Sequence, residues 1–134
     1  MVVLDTNTIS YYFRGDPQVV PRLQGLPPSE IAVPAIVVYE LRYGLSRLPA
    51  EAAQLRLFAL QTLLRPLRIL DFDAACAEQA ASVRSALERQ GTPIGPYDLL
   101  IAATALRHQA RLVTRNEREF ARVPGLQVIN WHAA

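Results

Sequence analysis

The hydrophobic positions of this chain fall into two repeating textures. Short segments with apolar centres at residues 2–5, 31–33, 68–71, 111–114 and 127–129 read as strands; the first is continuously apolar up to Asp5, without polar alternation, the texture of a parallel sheet. Between them lie longer stretches with apolar residues at helical spacing, such as Val37, Leu41, Leu45 and Leu48 within residues 36–48. Further helices are expected over residues 8–13, 17–24, 50–64, 74–90 and 96–109. Pro17 and Pro96 suit first helical turns, Asp73 an N-cap, and Gly91 a helix stop. Pro49 separates two helices that then form a hairpin. Strands alternating with helices predict an α/β fold on a parallel sheet of five strands. No linker, repeat or composition break divides the chain, so residues 1–134 read as one domain.

Composition narrows the class. Half of the residues are hydrophobic, which suits a globular domain rather than a disordered one. No apolar run approaches the roughly 20 residues of a membrane helix, and no basic start followed by an apolar stretch suggests a signal peptide. A single cysteine, Cys76, excludes an internal disulfide and suits a reducing, cytoplasmic compartment. Its Ala-rich surroundings predict a buried structural thiol. The net charge of +2 is too small to demand a polyanionic partner. All basic residues are arginine, which favours bidentate phosphate binding but also follows from a GC-rich genome.

Most carboxylates lie in turns or on polar helix faces. Three do not. Asp5 follows an apolar strand, Glu40 sits within AIVVYELRYGL, and Asp98 within PIGPYDLLIAATAL. Each has an ordinary reading alone: a strand-end acceptor, an exposed helix residue, a first-turn acid favoured by the helix dipole. Together they share one end of the fold, because parallel sheets collect ligands at the carboxyl ends of their strands. Thr114, Arg115 and Asn116 follow a strand and reach the same edge; Glu117 and Glu119 are expected to face solvent. Gly44, four residues after Glu40, marks either a close approach by a ligand or a tight helix–sheet contact.

Converging carboxylates raise one another's pKa, and a hard divalent cation relieves them. Mg²⁺ or Mn²⁺ suits such oxygen donors. His108 and His132 are too few for a structural zinc site and are expected on the solvated surface. Acidic metal sites of this kind position water for attack on a phosphodiester.

The segments VVLDTNTIS, VYELRYGL, PIGPYDLLIAATAL and LVTRNEREFARVPGLQVINW, in this order, resemble the PIN-domain ribonucleases, in particular the VapC toxins of bacterial toxin–antitoxin modules. The resemblance implies a three-layer α/β/α domain and a Mg²⁺-dependent endoribonuclease that forms a homodimer and a larger complex with a cognate antitoxin. It maps the family's acidic positions onto Asp5, Glu40 and Asp98, and the fourth, often Asp, onto Asn116. Asp5 and Asp98 would hold the metal, and Glu40 would bind it or orient the attacking water. Asn116 would hydrogen-bond a metal water or the substrate, and Thr6, Asn7 and Thr114 are the supporting polar residues. Arg14, Arg42 and Arg115 are candidate RNA contacts. By the same likeness the antitoxin tail lies between the first helix and the helical hairpin, where Tyr11, Tyr12 and Phe13 could meet it; plain core packing is the other reading, most of all for Phe13.

Three other readings compete. A haloacid dehalogenase-type phosphatase needs a second Asp where Asn7 stands, and a Lys. A receiver domain needs a Lys and an acidic pair. A non-catalytic PIN-like binding scaffold is the third, and Asn116 is the residue that favours it.

Overall fold

The computed structural model describes residues 1–133. Five strands are present among them: β1 (Val2–Leu4), β2 (Ile31–Pro34), β3 (Arg68–Leu70), β4 (Arg111–Val113) and β5 (Val128–Ile129). All neighbours are parallel and the order is β3-β2-β1-β4-β5. The central strand pairs Val3 with Ala32 on one side and Leu112 on the other, all fully buried.

The helices are α1 (Thr6–Phe13), α2 (Val20–Gln24), α3 (Ala35–Ser46), α4 (Ala50–Leu64), α5 (Ala74–Arg89), α6 (Pro96–Arg107) and α7 (Glu117–Phe120). The chain steps outward from β1 to β3, then crosses back to β4. Right-handed crossovers therefore put α1–α4 on one face of the sheet and α5–α7 on the other. Contacts agree: α1 packs on α3, α3 on α4, and α5 along α6. This is the expected three-layer α/β/α sandwich, with aliphatic side chains such as Leu4, Ile9, Ile101 and Leu112 filling both inter-layer spaces.

Local chemistry explains where boundaries depart from expectation. The first strand stops at Leu4 because Asp5 caps α1, which starts two residues earlier than expected. Pro17 does not open a helix. Asp16 takes the Gln18 N–H on its side chain, at 2.8 Å, and the Val19 and Val20 N–H groups on its carbonyl, so α2 begins at Val20 with Pro21 in its first turn. At the end of α6, Gln109 adopts φ 52° and closes the helix before β4. Asp73 caps α5 through the Cys76 N–H, and Cys76 is buried, both as expected. No helix among the described residues is long and apolar enough to cross a membrane.

Candidate active site

The functional edge is the one where β1, β2 and β4 end. Asp5 leaves β1, Glu40 lies in α3 beyond β2, and Thr114–Asn116 leaves β4. Helix α6 runs antiparallel to the strands, so Asp98 in its first turn reaches the same edge.

Asp5 is buried, at 4% exposure. Its Oδ1 accepts the Thr8 N–H at 2.9 Å and the Thr8 hydroxyl at 2.6 Å, and the neighbouring Thr114 hydroxyl also favours its charged form. Burial nevertheless outweighs these bonds and holds its pKa above the usual carboxylate range. Thr6 donates its hydroxyl to Glu40 Oε1 at 2.7 Å, tying α1 to α3 across the cleft.

The strongest electrostatic feature is Asp98. Burial, then the charge and hydrogen bond of Glu119, then the charges of Asp5 and Glu40 push its pKa up to about 7. Three carboxylates thus act on Asp98 at one edge, and Glu119 is the one the sequence reading missed. It accepts the Gly95 N–H on Oε1 at 2.9 Å and the Asn116 side-chain amide on Oε2 at 2.7 Å. Against the burial that would raise it, the Gly95 N–H, the Asn116 amide and the neighbouring Asp98 lower the Glu119 pKa, opposite in direction to that of Asp98. A Cβ at Gly95 would lie 3.7 Å from both Asp98 Oδ2 and Glu119 Oε1, which shows how closely the two acids flank that backbone. Glu119 is therefore not solvent-directed as expected. Its only sequence signal was its spacing of three residues from Asn116 on a helical turn.

The remaining expected residues divide. Thr6 and Thr114 join the acids, and Asn116 joins them by holding Glu119. Asn7 is exposed and makes no side-chain hydrogen bond among the described residues. Arg14 and Arg115 are exposed and both stack on Tyr11, whereas Arg42 is exposed on α3 with no contact tying it to the cleft. His132 departs from the solvated position expected of it: Asp16 and Tyr11 hold it.

A groove of about 770 Å³ opens between α1 and the α3–α4 hairpin, with Thr6 and Glu40 at its edge and Phe13, Leu45 and Leu55 along it. Phe13 is 44% exposed there. Tyr11 and Tyr12 do not line it; they pack partly against the core, the reverse of what was expected for the three rings. Gly44 lines the same groove, and a Cβ there would meet nothing within 4 Å, so no tight helix contact explains it.

The PIN domain family model matches residues 2–126. The chain belongs to the PIN-domain family. Within it, this PIN domain is 33% identical over 129 residues to the tRNA(fMet)-specific endonuclease VapC of Salmonella typhimurium, covering 96% of both chains. Among solved structures, it is similar to VapBC2 from Rickettsia felis bound to a DNA fragment from their promoter, with TM-score 0.87, 37% identity and coverage of 98% and 99% of the two chains. FitAcB from Neisseria gonorrhoeae superposes with TM-score 0.90 at 35% identity, over 99% of this chain and 100% of that one. The VapC resemblance read from the sequence motifs thus holds over nearly the whole PIN domain.

The donors at this edge are all hard oxygens. Among the described residues no three acidic, thiol or imidazole side chains are drawn together tightly enough to cage an ion. The site fits a hard divalent cation by charge and donor type, with water completing the shell. Burial first, and then the neighbouring acids, push the Asp98 pKa up to about 7, the imbalance that a cation would relieve.

Proposed function

We propose that this PIN domain is a VapC-type endoribonuclease, the toxin of a toxin–antitoxin pair, and that it uses Mg²⁺ or Mn²⁺. The observation that carries the reading is the gathering of Asp5, Glu40 and Glu119 around the half-buried Asp98 at the carboxyl edge of a parallel sheet. Asp5, Asp98 and Glu40 would hold the cation, with Glu119 completing the acidic set. When bound, the cation would neutralise these acids and polarise the scissile phosphate and the attacking water.

The protein's own residues set the stage for that chemistry. Thr8 and Thr114 fix the Asp5 carboxylate, and Thr6 fixes Glu40, leaving Glu40 in reach of a water at the cleft. Asn116 and the Gly95 N–H fix Glu119 beside Asp98. With a cation bound, Asp98 would be held as the carboxylate, its proton released to solvent. The fourth carboxylate supports the enzyme over the binding scaffold, since Asn116 here serves an acid instead of replacing one.

The groove between α1 and the hairpin is the seat expected for the antitoxin: apolar along Phe13, Leu45 and Leu55, with Arg56 for an acidic segment. Homodimer formation and a larger complex with the antitoxin belong to the same reading, and a cytoplasmic site of action with them.

The test is cleavage by partner-free protein. Transfer RNA is the first substrate to try, because the Salmonella relative is named for initiator transfer RNA. Cleavage that requires Mg²⁺, stops in EDTA and is lost in folded Asp98→Asn is expected. Cleavage that persists in EDTA or in Asp98→Asn would overturn the assignment of the site.

A further inference from the structure

Thr8, Tyr11 and Arg14 follow one another at three-residue steps, so they share one face of α1. At the near end of that face Thr8 bonds Asp5 and the Val113 carbonyl, the latter at 3.2 Å. One step on, the Tyr11 ring carries two guanidinium groups: Arg115 with its Cζ 5.6 Å from the ring centroid, and Arg14 at 5.8 Å. Both arginines are exposed, and neither is in an ion pair among the described residues. With no carboxylate paired to either of them among the described residues, both guanidinium groups keep their donors for a ligand, and guanidinium groups match phosphate oxygens well.

The ring is itself braced. His132 meets Tyr11 edge-on, with centroids 5.0 Å apart and planes at 64°. Its Nε2 donates to the Asp16 carboxylate at 3.0 Å, and the Asp16 N–H returns to the Tyr11 carbonyl, also at 3.0 Å. The segment after β5 and the turn after α1 thus close on the same residue.

We propose that Tyr11 is a positioning residue: it sets Arg14 and Arg115 as paired contacts for the sugar–phosphate backbone of a single-stranded RNA running out of the carboxylate cleft, while the His132–Asp16 pair holds its ring. This rests on the ribonuclease reading above. Arg115 adjoins Asn116, which holds Glu119, so the first of the two contacts begins at the acidic cluster. Arg14 lies about 13 Å from Asp5 along the helix at 1.5 Å per residue. The track therefore leads away from the acids, where phosphate is welcome, and its charge is of the sign a nucleic acid needs. An acidic peptide from a protein partner is the other occupant of such charges; the proximity of Arg115 to the acid cluster favours RNA.

The test uses the full chain carrying Asp98→Asn and a labelled single-stranded RNA 12-mer of mixed sequence, with Kd measured over a series of salt concentrations. Arg14→Gln and Arg115→Gln should each lower the slope of log K against log salt by about 0.7, the value for one single-strand phosphate contact. Tyr11→Leu should weaken binding about fivefold, and Arg115→Gln should then cost less in that background than alone. Tyr11→Phe keeps the ring and should bind within about twofold of the parent. If Tyr11→Leu does not fold, the two exposed arginine variants decide through their slopes. Unchanged slopes, or RNA binding unchanged while antitoxin binding falls, overturn the proposal and leave the ribonuclease reading intact. No RNA binding by the parent at low salt, together with no metal-dependent cleavage by the unsubstituted chain, overturns both.

Discussion

Asn116 donates its side-chain amide to Glu119 at 2.7 Å, while the other oxygen of Glu119 takes the Gly95 N–H at the start of the helix that carries Asp98. An amide where an acid was expected by resemblance is therefore not a gap in the acidic set. It anchors the fourth carboxylate from the flank. Glu119→Gln should lower metal-dependent cleavage by about tenfold or more, a loss of the size seen when groups supporting a metal site are removed. The folded state should survive, because Glu119 is only partly buried. Cleavage at the normal rate in a well-folded Glu119→Gln protein would remove it from the site.

The pH dependence of stability has a definite sign. Burial and the neighbouring acids push the Asp98 pKa from its ordinary 3.8 up to about 7 in the folded state. Between those values the folded protein holds a proton that the unfolded chain has released, so stability falls as pH rises from about 4 to about 7. Asp5, raised by burial, acts in the same direction. Glu119, lowered, acts oppositely: its contribution is lost as pH falls through the acid range. In EDTA the Tm should drop between about pH 5 and pH 7.5, and Asp98→Asn should flatten that drop. Millimolar Mg²⁺ should raise the Tm at pH 7.5, because it binds only the folded state. A Tm indifferent to Mg²⁺ at that pH would contradict a shared cation site.

How much of this was open to reading depends on burial and on range. Asp5, Glu40 and Asp98 stood out because each interrupts an apolar segment, where a carboxylate needs a reason. Glu119 offered no such contrast. It lies in the polar run from Arg115 to Glu119, on a helix of four residues too short to show a period. What brings it inward is the Gly95 N–H, 24 positions away. His132 was hidden in the same way, its partner Asp16 lying 116 positions back. The strands and the long helices were legible because their apolar spacing is dictated by the layers they fill. The start of α2 was not, because an aspartate turn competed with the proline for the same few backbone groups.

Thr8 is a buried threonine whose hydroxyl serves Asp5 at 2.6 Å. Thr8→Val keeps the shape and removes that donor. Hydrogen bonds to charged groups contribute about 1.5–3 kcal/mol, so stability in urea should fall by roughly that amount. The Asp5 pKa should also rise further, and the Mg²⁺ needed for half-maximal cleavage should rise with it. Unchanged stability would mean that the Thr114 hydroxyl and the helix N–H alone satisfy the carboxylate.

Gly44 faces the groove with open space where a side chain would stand. Gly44→Ala should be tolerated and stabilise α3 by about 0.5–1 kcal/mol. Gly44→Leu should fold as well but fill the groove, weakening antitoxin capture while cleavage of a short RNA continues. Calorimetric titration with the antitoxin peptide, beside a cleavage assay, separates the two effects. Equal antitoxin affinity in Gly44→Leu would place the partner elsewhere.

One oxygen of Asp5 is committed to the fold. Oδ1 holds the first turn of α1 through both the backbone and the hydroxyl of Thr8, so this carboxylate pins the fold as well as serving the proposed chemistry. Replacing it with Ala would remove both at once and leave an inactive protein that teaches little. Asn keeps an oxygen for the helix and turns an NH₂ towards the cleft, so it inverts the site from acceptor to donor without unpinning the helix. In this fold the informative knockout is the one that preserves the cap.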